Sequence, residues 1–179
     1  MNNPQQPVIL SFVGHSNSGK TGMITQIIPL IIEKGIRVGV IKHAGSPIKM
    51  DRKGKDSHRL FESGANPTMV CNKKHIAFFA QAQSDIGLEA IAQRYFFDSD
   101  LLLTEGFKKE KFSKIEVYTY SDKILPLCFN DNTIKAIITD HPYHWHIPQF
   151  SFKDINGAVH WMVSYYLELK EKQSLPHQG

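Results

Sequence analysis

An α/β fold is predicted for this chain: a phosphate-loop nucleotide-binding domain in three layers, with a mostly parallel sheet and one inserted β-hairpin. Two observations carry the prediction. Apolar strand-like runs alternate with helix-like stretches along the chain, and the first such pair brackets Gly14-His15-Ser16-Asn17-Ser18-Gly19-Lys20-Thr21, which fits G-x-x-x-x-G-K-[ST] at every required position. With 179 residues, 41% of them hydrophobic, the chain is long enough for one well-buried domain. A single domain spanning 1–179 is expected, with a loose tail over 171–179.

Val8 to Val13 is an apolar run that reads as the first strand. Gly14 and Gly19 let the backbone after it curl, so that the amides of Asn17 to Thr21 can converge on a polyphosphate at the positive end of the next helix. Lys20 would reach phosphate oxygens as a mobile point charge, and the Thr21 hydroxyl would ligate Mg²⁺, a hard cation. The expected ligand is a nucleoside triphosphate with magnesium. The helix, roughly Thr21 to Lys34, has apolar residues at 23, 24, 27, 28 and 31 and stops at Gly35. Pro29 inside it should kink it or begin a second segment.

Ile36 to Lys42 reads as a buried strand. The segment from Lys42 to Arg59 then holds six basic residues against two acids, Asp51 and Asp56, an excess equal to the +4 formal charge of the whole chain. It reads as a loop that meets anions; without interleaved aromatics or a binding module, a nucleic-acid partner is not expected. A short helix from about Ser57 to Ser63 follows, capped by Asp56 or Ser57 and ended by Gly64. Thr68 to Cys71 and Ile76 to Phe79 flank Asn72-Lys73-Lys74-His75 as an antiparallel hairpin, an insertion over 67–81. A helix is expected from about Ser84 to Phe96, with Leu88, Ile91, Ala92 and Tyr95 on one face. Lys114 to Tyr120 and Ile134 to Asp140 are strand-like, and a last helix runs from a cap at Asp154 to about Leu169.

Leu101-Leu102-Leu103-Thr104-Glu105-Gly106 is the second chemical element: an apolar strand ending in an acid before glycine. Its carboxylate would sit beside the phosphate loop and reach Mg²⁺ directly or through water, which makes Glu105 a metal candidate with Thr21. Asp56, and after it Asp51, could hold a metal-bound water or orient an attacking water; capping a helix is the alternative role for Asp56. Catalytic candidates are therefore Lys20, Asp56 and Glu105. Gly14 through Gly22 and Asp140 are the nucleotide-contact candidates.

Other residues suggest less. His141, His144 and His146 could bind a borderline metal, but a loop with two prolines and two aromatics more often packs on the surface. Lys108-Lys109-Glu110-Lys111 reads as a solvated loop near the ligand, and Asp100 as a strand-entry residue. Cys71 and Cys128, far apart and without a C-x-x-C pattern, are expected to be reduced, packed thiols. With no apolar run of membrane-spanning length and no secretion signal in the first residues, a cytoplasmic protein without membrane contact is expected.

The stretches GHSNSGKT, IIPLIIEKGIRVGVIKH, GKDSHRLFESGA, DLLLTEGFK and AIITD, from Val8 to about Asp140, resemble the molybdopterin-guanine dinucleotide biosynthesis adapter (MobB) family. The resemblance implies a GTP-binding protein, typically a homodimer, with weak hydrolysis of its own. It implies an adapter to the guanylyltransferase partner protein that joins GMP to molybdopterin, with molybdopterin itself a further ligand candidate. It places Asp140 where a guanine edge could be read, although the chain has no N-K-x-D element. The chain departs from the family after the second strand, where only His43 and Asp51 remain of a histidine- and acid-rich loop, and at Gly22, where a second hydroxyl residue is more common. Two other classes stay open: a metal-delivery GTPase with the histidines as a nickel or zinc cargo site, and a small-molecule kinase using ATP.

Overall fold

The computed structural model describes residues 6–48, 51–82, 85–141 and 146–174. Two compact units result, Met1–His43 with Leu88–Gly179, and Ala44–Gly87.

The larger unit is built on six parallel strands in the order β2-β5-β1-β6-β7-β8. These are β1 (Val8–Val13), β2 (Val38–Lys42), β5 (Leu101–Glu105), β6 (Ser113–Val117), β7 (Ile134–Ile138) and β8 (Gln149–Phe150). Period-two alternation sends their side chains to two cores. Val8, Leu10 and Phe12 of β1 and Leu101 and Leu103 of β5 join the cluster under α1 (Lys20–Ile32) and α4 (Ile155–Ser174), which add Ile24, Ile27, Ile31, Val159, Met162 and Tyr166. Ile9 and Leu102 point the other way and meet Leu88 and Ala92 of α3 (Leu88–Tyr95). Helices on both faces of a parallel sheet are the three layers expected from the sequence.

Several elements differ in detail. Pro29 lies inside α1 without ending it. Its missing amide costs one bond near the end of the helix, and the buried stripe of Met23, Ile24, Ile27 and Ile31 outweighs that loss. β2 is an edge strand with Val40 41% exposed, so the expected burial of this strand is not met. α3 begins at Leu88, later than expected, and Tyr95 on its presumed core face is exposed. α4 is capped by Asp154, whose Oδ1 accepts the Gly157 amide at 3.0 Å, and continues to Ser174, past the expected end. The two-residue β8 and the 3-10 turn Leu127–Phe129 are too short to show a period in the sequence.

The smaller unit contains α2 (Asp56–Glu62) and the hairpin of β3 (Thr68–Cys71) and β4 (Ile76–Phe79), with the strand limits and antiparallel pairing expected. Asn72 Oδ1 accepts the amides of Lys74 and His75, both at 2.8 Å, and closes the turn. Asn66 exchanges two hydrogen bonds with the Gln81 backbone and closes the base. The expected cap on α2 is not made: Lys55 is the N-cap and offers no side-chain bond. Asp51 organises the approach instead, accepting from the Arg52 amide and the Ser57 hydroxyl. Cys71 is exposed on this hairpin, against the expectation of two packed thiols, whereas Cys128 of the larger unit is half-buried.

Asp100, just before β5, does more than enter a strand. It accepts from the Arg37 amide and from the Arg37 guanidinium, at 2.9 and 3.0 Å, tying the start of β2 to that of β5. The hydrogen bonds from Arg37 outweigh burial and hold the carboxyl at a pKa of about 2. A carboxylate depressed on folding stabilises the protein above its unfolded pKa of about 3.9, and that stability is lost as pH falls through about 2. Asp100→Asn should therefore cost about 1 kcal/mol in urea unfolding at pH 7, the figure being discounted for the solvent-facing guanidinium, and the difference from wild type should shrink between about pH 4 and pH 2.

Candidate functional site

Parallel strands deliver their C-terminal ends to one edge of the sheet, and here three of those ends are in register. Lys42 of β2 is opposite Glu105 of β5, and Glu105 is opposite Phe12 of β1. The Gly106 amide donates to Phe12 O at 3.0 Å and the His43 amide to Glu105 O at 2.9 Å, so the loops leaving these strands are fastened to one another.

The loop after β1 has three residues at positive φ, Gly14 (+145°), Asn17 (+63°) and Gly19 (+88°). Gly14 is required by contact as well as by angle, because a Cβ there would lie 2.2 Å from the carbonyl oxygen of Val117 in the neighbouring β6. Asn17 is among the few side chains that tolerate the left-handed region. Gly19 is the N-cap of α1, and with no cap side chain it leaves the first-turn amides to an anion. Lys20 folds back over the loop and donates to His15 O at 2.6 Å, Gly14 O at 3.3 Å and Ser18 Oγ at 3.4 Å. Burial pushes its ammonium below the usual lysine range; Lys108 and Lys42 push the same way, against the pull of Glu105.

Thr21 and Glu105 meet as the sequence suggested: Thr21 Oγ1 donates to Glu105 Oε2 at 2.7 Å. Burial opposes the charged carboxylate, but the hydrogen bonds from Thr21 and Lys42 and the charges of Lys42 and Lys20 outweigh it, so Glu105 titrates below the usual glutamate range. The sequence reading did not foresee Lys42 at this corner. Its Nζ lies 2.9 Å from Glu105 Oε1 and 3.2 Å from Thr21 Oγ1. The signal that could have revealed it is positional: Lys42 and Glu105 each close a five-residue strand, and the two strands run side by side.

The remaining candidates make other contacts. Asp56 is the first residue of α2 in the smaller unit, 95% exposed, with Arg59 at 3.8 Å. Asp140 follows β7, and its Oδ1 accepts the Phe152 amide at 3.0 Å. Phe152 also approaches Gly19, its ring 3.6 Å from the place a Cβ would take. His141 stacks on Tyr120, with ring centroids 4.1 Å apart. His144 lies outside the described residues, and among those described no group of three or more metal-ligating side chains occurs. No helix of the described residues is long and apolar enough to cross a membrane.

The donor set beside the phosphate loop suits a hard cation. It offers one hydroxyl and one carboxylate, both oxygen donors, and an ammonium already sits against the two of them. Thr21 and Glu105 would hold such an ion, and Lys20 would stand over the loop on the side of the phosphates.

A family model described as molybdopterin guanine dinucleotide synthesis protein B matches residues 9–140. The molybdopterin-guanine dinucleotide biosynthesis adapter protein of Haemophilus influenzae is 36% identical over 145 residues, 79% of each chain. That of Escherichia coli is 29% identical, over 88% of this chain and 92% of its own. A crystal structure of molybdopterin-guanine biosynthesis protein B superposes with a TM-score of 0.72 at 29% identity, covering 89% of this chain and 99% of the other.

Two glycines of the loop region should respond oppositely to alanine. Gly14→Ala should cost about 2 kcal/mol or more, from its positive φ and the Val117 oxygen. Gly22, in the first turn of α1 with nothing within 4 Å of a Cβ, should gain about 0.5–1 kcal/mol. Urea denaturation of the two variants checks both signs.

Proposed function

The chain belongs to the MobB family, and on that premise we propose that it binds GTP with Mg²⁺ and acts as an adapter in molybdopterin guanine dinucleotide biosynthesis. The observation that carries the nucleotide reading is the convergence of the Thr21 hydroxyl and the Glu105 carboxylate, 2.7 Å apart, at the foot of a loop that Lys20 overhangs. A turn that matched the phosphate-loop pattern by accident would not have a carboxylate from a separate strand delivered to its threonine.

In this reading the amides of Asn17 to Thr21 cradle the phosphates, with Gly14, His15, Ser16 and Gly22 completing the loop. Lys20 releases the carbonyls of Gly14 and His15 and turns to the phosphate oxygens. Thr21 and Glu105 hold the magnesium, which when bound neutralises phosphate charge. Asp56 orients water for a slow hydrolysis, and Asp140, already fixed by the Phe152 amide, offers its second oxygen to the base. The expected partners are the guanylyltransferase that forms the dinucleotide, with molybdopterin as a shared ligand, and a second copy of the chain. The exposed Met69, Val70 and Ile76 of the hairpin support the homodimer. The hairpin over 67–81 is read as an insertion in one nucleotide-binding domain, 1–179, working in the cytoplasm.

Calorimetric titration with GTP, ATP and molybdopterin in magnesium buffer tests this directly. GTP should bind more tightly than ATP, and Lys20→Ala should weaken GTP about 10- to 100-fold, the loss of charge-assisted hydrogen bonds. An ATP preference, or equal binding by the Lys20 variant, would overturn the reading. Asp56→Asn should keep GTP affinity within about twofold and lower single-turnover phosphate release about tenfold or more, as loss of a water-positioning group does.

A further inference from the structure

Lys42 has no task in the function proposed above, although the fold delivers it to the site. Parallel register puts it beside Glu105, and its ammonium touches both groups assigned to the metal, Glu105 at 2.9 Å and Thr21 at 3.2 Å. The Thr21 hydroxyl donates its proton to Glu105 and accepts from Lys42, so one of its two lone pairs already faces an ammonium.

We propose that Lys42 is a built-in monovalent counter-ion that bars the Thr21–Glu105 pair to free divalent metal and yields the place only when a polyphosphate arrives to take up its ammonium. The inference rests on the nucleotide reading above and adds an order of events to it. Three observations support it. The Glu105 side chain is only 13% exposed, and a carboxylate that far from solvent needs a cation beside it when no ligand is bound. Mg²⁺ bonds its oxygen ligands at about 2.0–2.1 Å, so a divalent ion on Thr21 and Glu105 would sit against the Lys42 ammonium, itself within 3.2 Å of both, and the two like charges compete for one place. The Lys42 side chain, 59% exposed on an edge strand, can swing away, whereas Lys20 is held by three loop oxygens. Metal and nucleotide would then enter together, and metal alone would be refused.

Titration with Mn²⁺ followed by electron paramagnetic resonance, with no nucleotide present, separates the possibilities. Wild type and Lys42→Arg, which keeps the charge, should bind Mn²⁺ weakly. Lys42→Met should bind it about tenfold or more tightly, since a charge-assisted contact no longer has to be displaced. Equal affinity of Lys42→Met and wild type, within about twofold, would overturn the proposal. A second test needs no variant: a wild-type crystal soaked in MnCl₂ alone should show no anomalous peak between Thr21 and Glu105, and a peak there with Lys42 still in place would equally overturn it. Both arms omit nucleotide, so their outcome is independent of the GTP titrations.

Discussion

Side-by-side parallel pairing of β2, β5 and β1 is the constraint on which the rest depends. Because Lys42, Glu105 and Phe12 share a register, three chain segments far apart in sequence turn out of the sheet at the same level. The phosphate loop begins one residue past Phe12's neighbour Val13, and the carbonyl of Val117 on the other flank dictates glycine at position 14. A one-residue slip of β5 would move Glu105 to the opposite face and leave Thr21 without its carboxylate. The apolar residues beneath, Leu10, Phe12, Leu101 and Leu103 on one face and Ile9 and Leu102 on the other, make such a slip costly, so the packing of the core fixes the chemistry at its rim.

What could be read from the chain alone was what short-range chemistry decides. The loop from Gly14 to Thr21, the strand ending at Glu105 and the hairpin with its Asn72 turn are each specified within a dozen residues, and the structure has all three. Features set by distant partners were not legible. Lys42 is only the first of six basic residues in a charged segment until β5 is placed next to it, and Arg37 is one residue of an expected strand until Asp100 comes into view 63 positions later. Pro29 begins no second segment for the same reason: the local rule offers a new start, and burial of Ile27 and Ile31 by α4 and the sheet overrides it. Asp56 was a reasonable cap by type, but Asp51 reached Ser57 first.

The alternatives that the sequence left open differ in what they ask of these residues. A metal-delivery protein would need a cargo site, and His141, one of its three proposed ligands, stacks on Tyr120. A kinase using ATP would need an acceptor pocket next to the phosphate loop. The adapter reading asks only for a nucleotide site and surfaces on which a partner can act, and family membership over most of the chain favours it.

The two thiols of the chain are unequal in a useful way. Burial, with the Glu116 carboxylate beside it, pushes the Cys128 thiol far above the ordinary range, while Cys71 stands in solvent on the hairpin. Thiolate is the reactive form, so a maleimide dye added at neutral pH reaches one position and spares the other. The native protein thus carries its own attachment point for a fluorophore, in the smaller unit and on a strand that contributes nothing to the phosphate loop, where it can report on assembly without engineering.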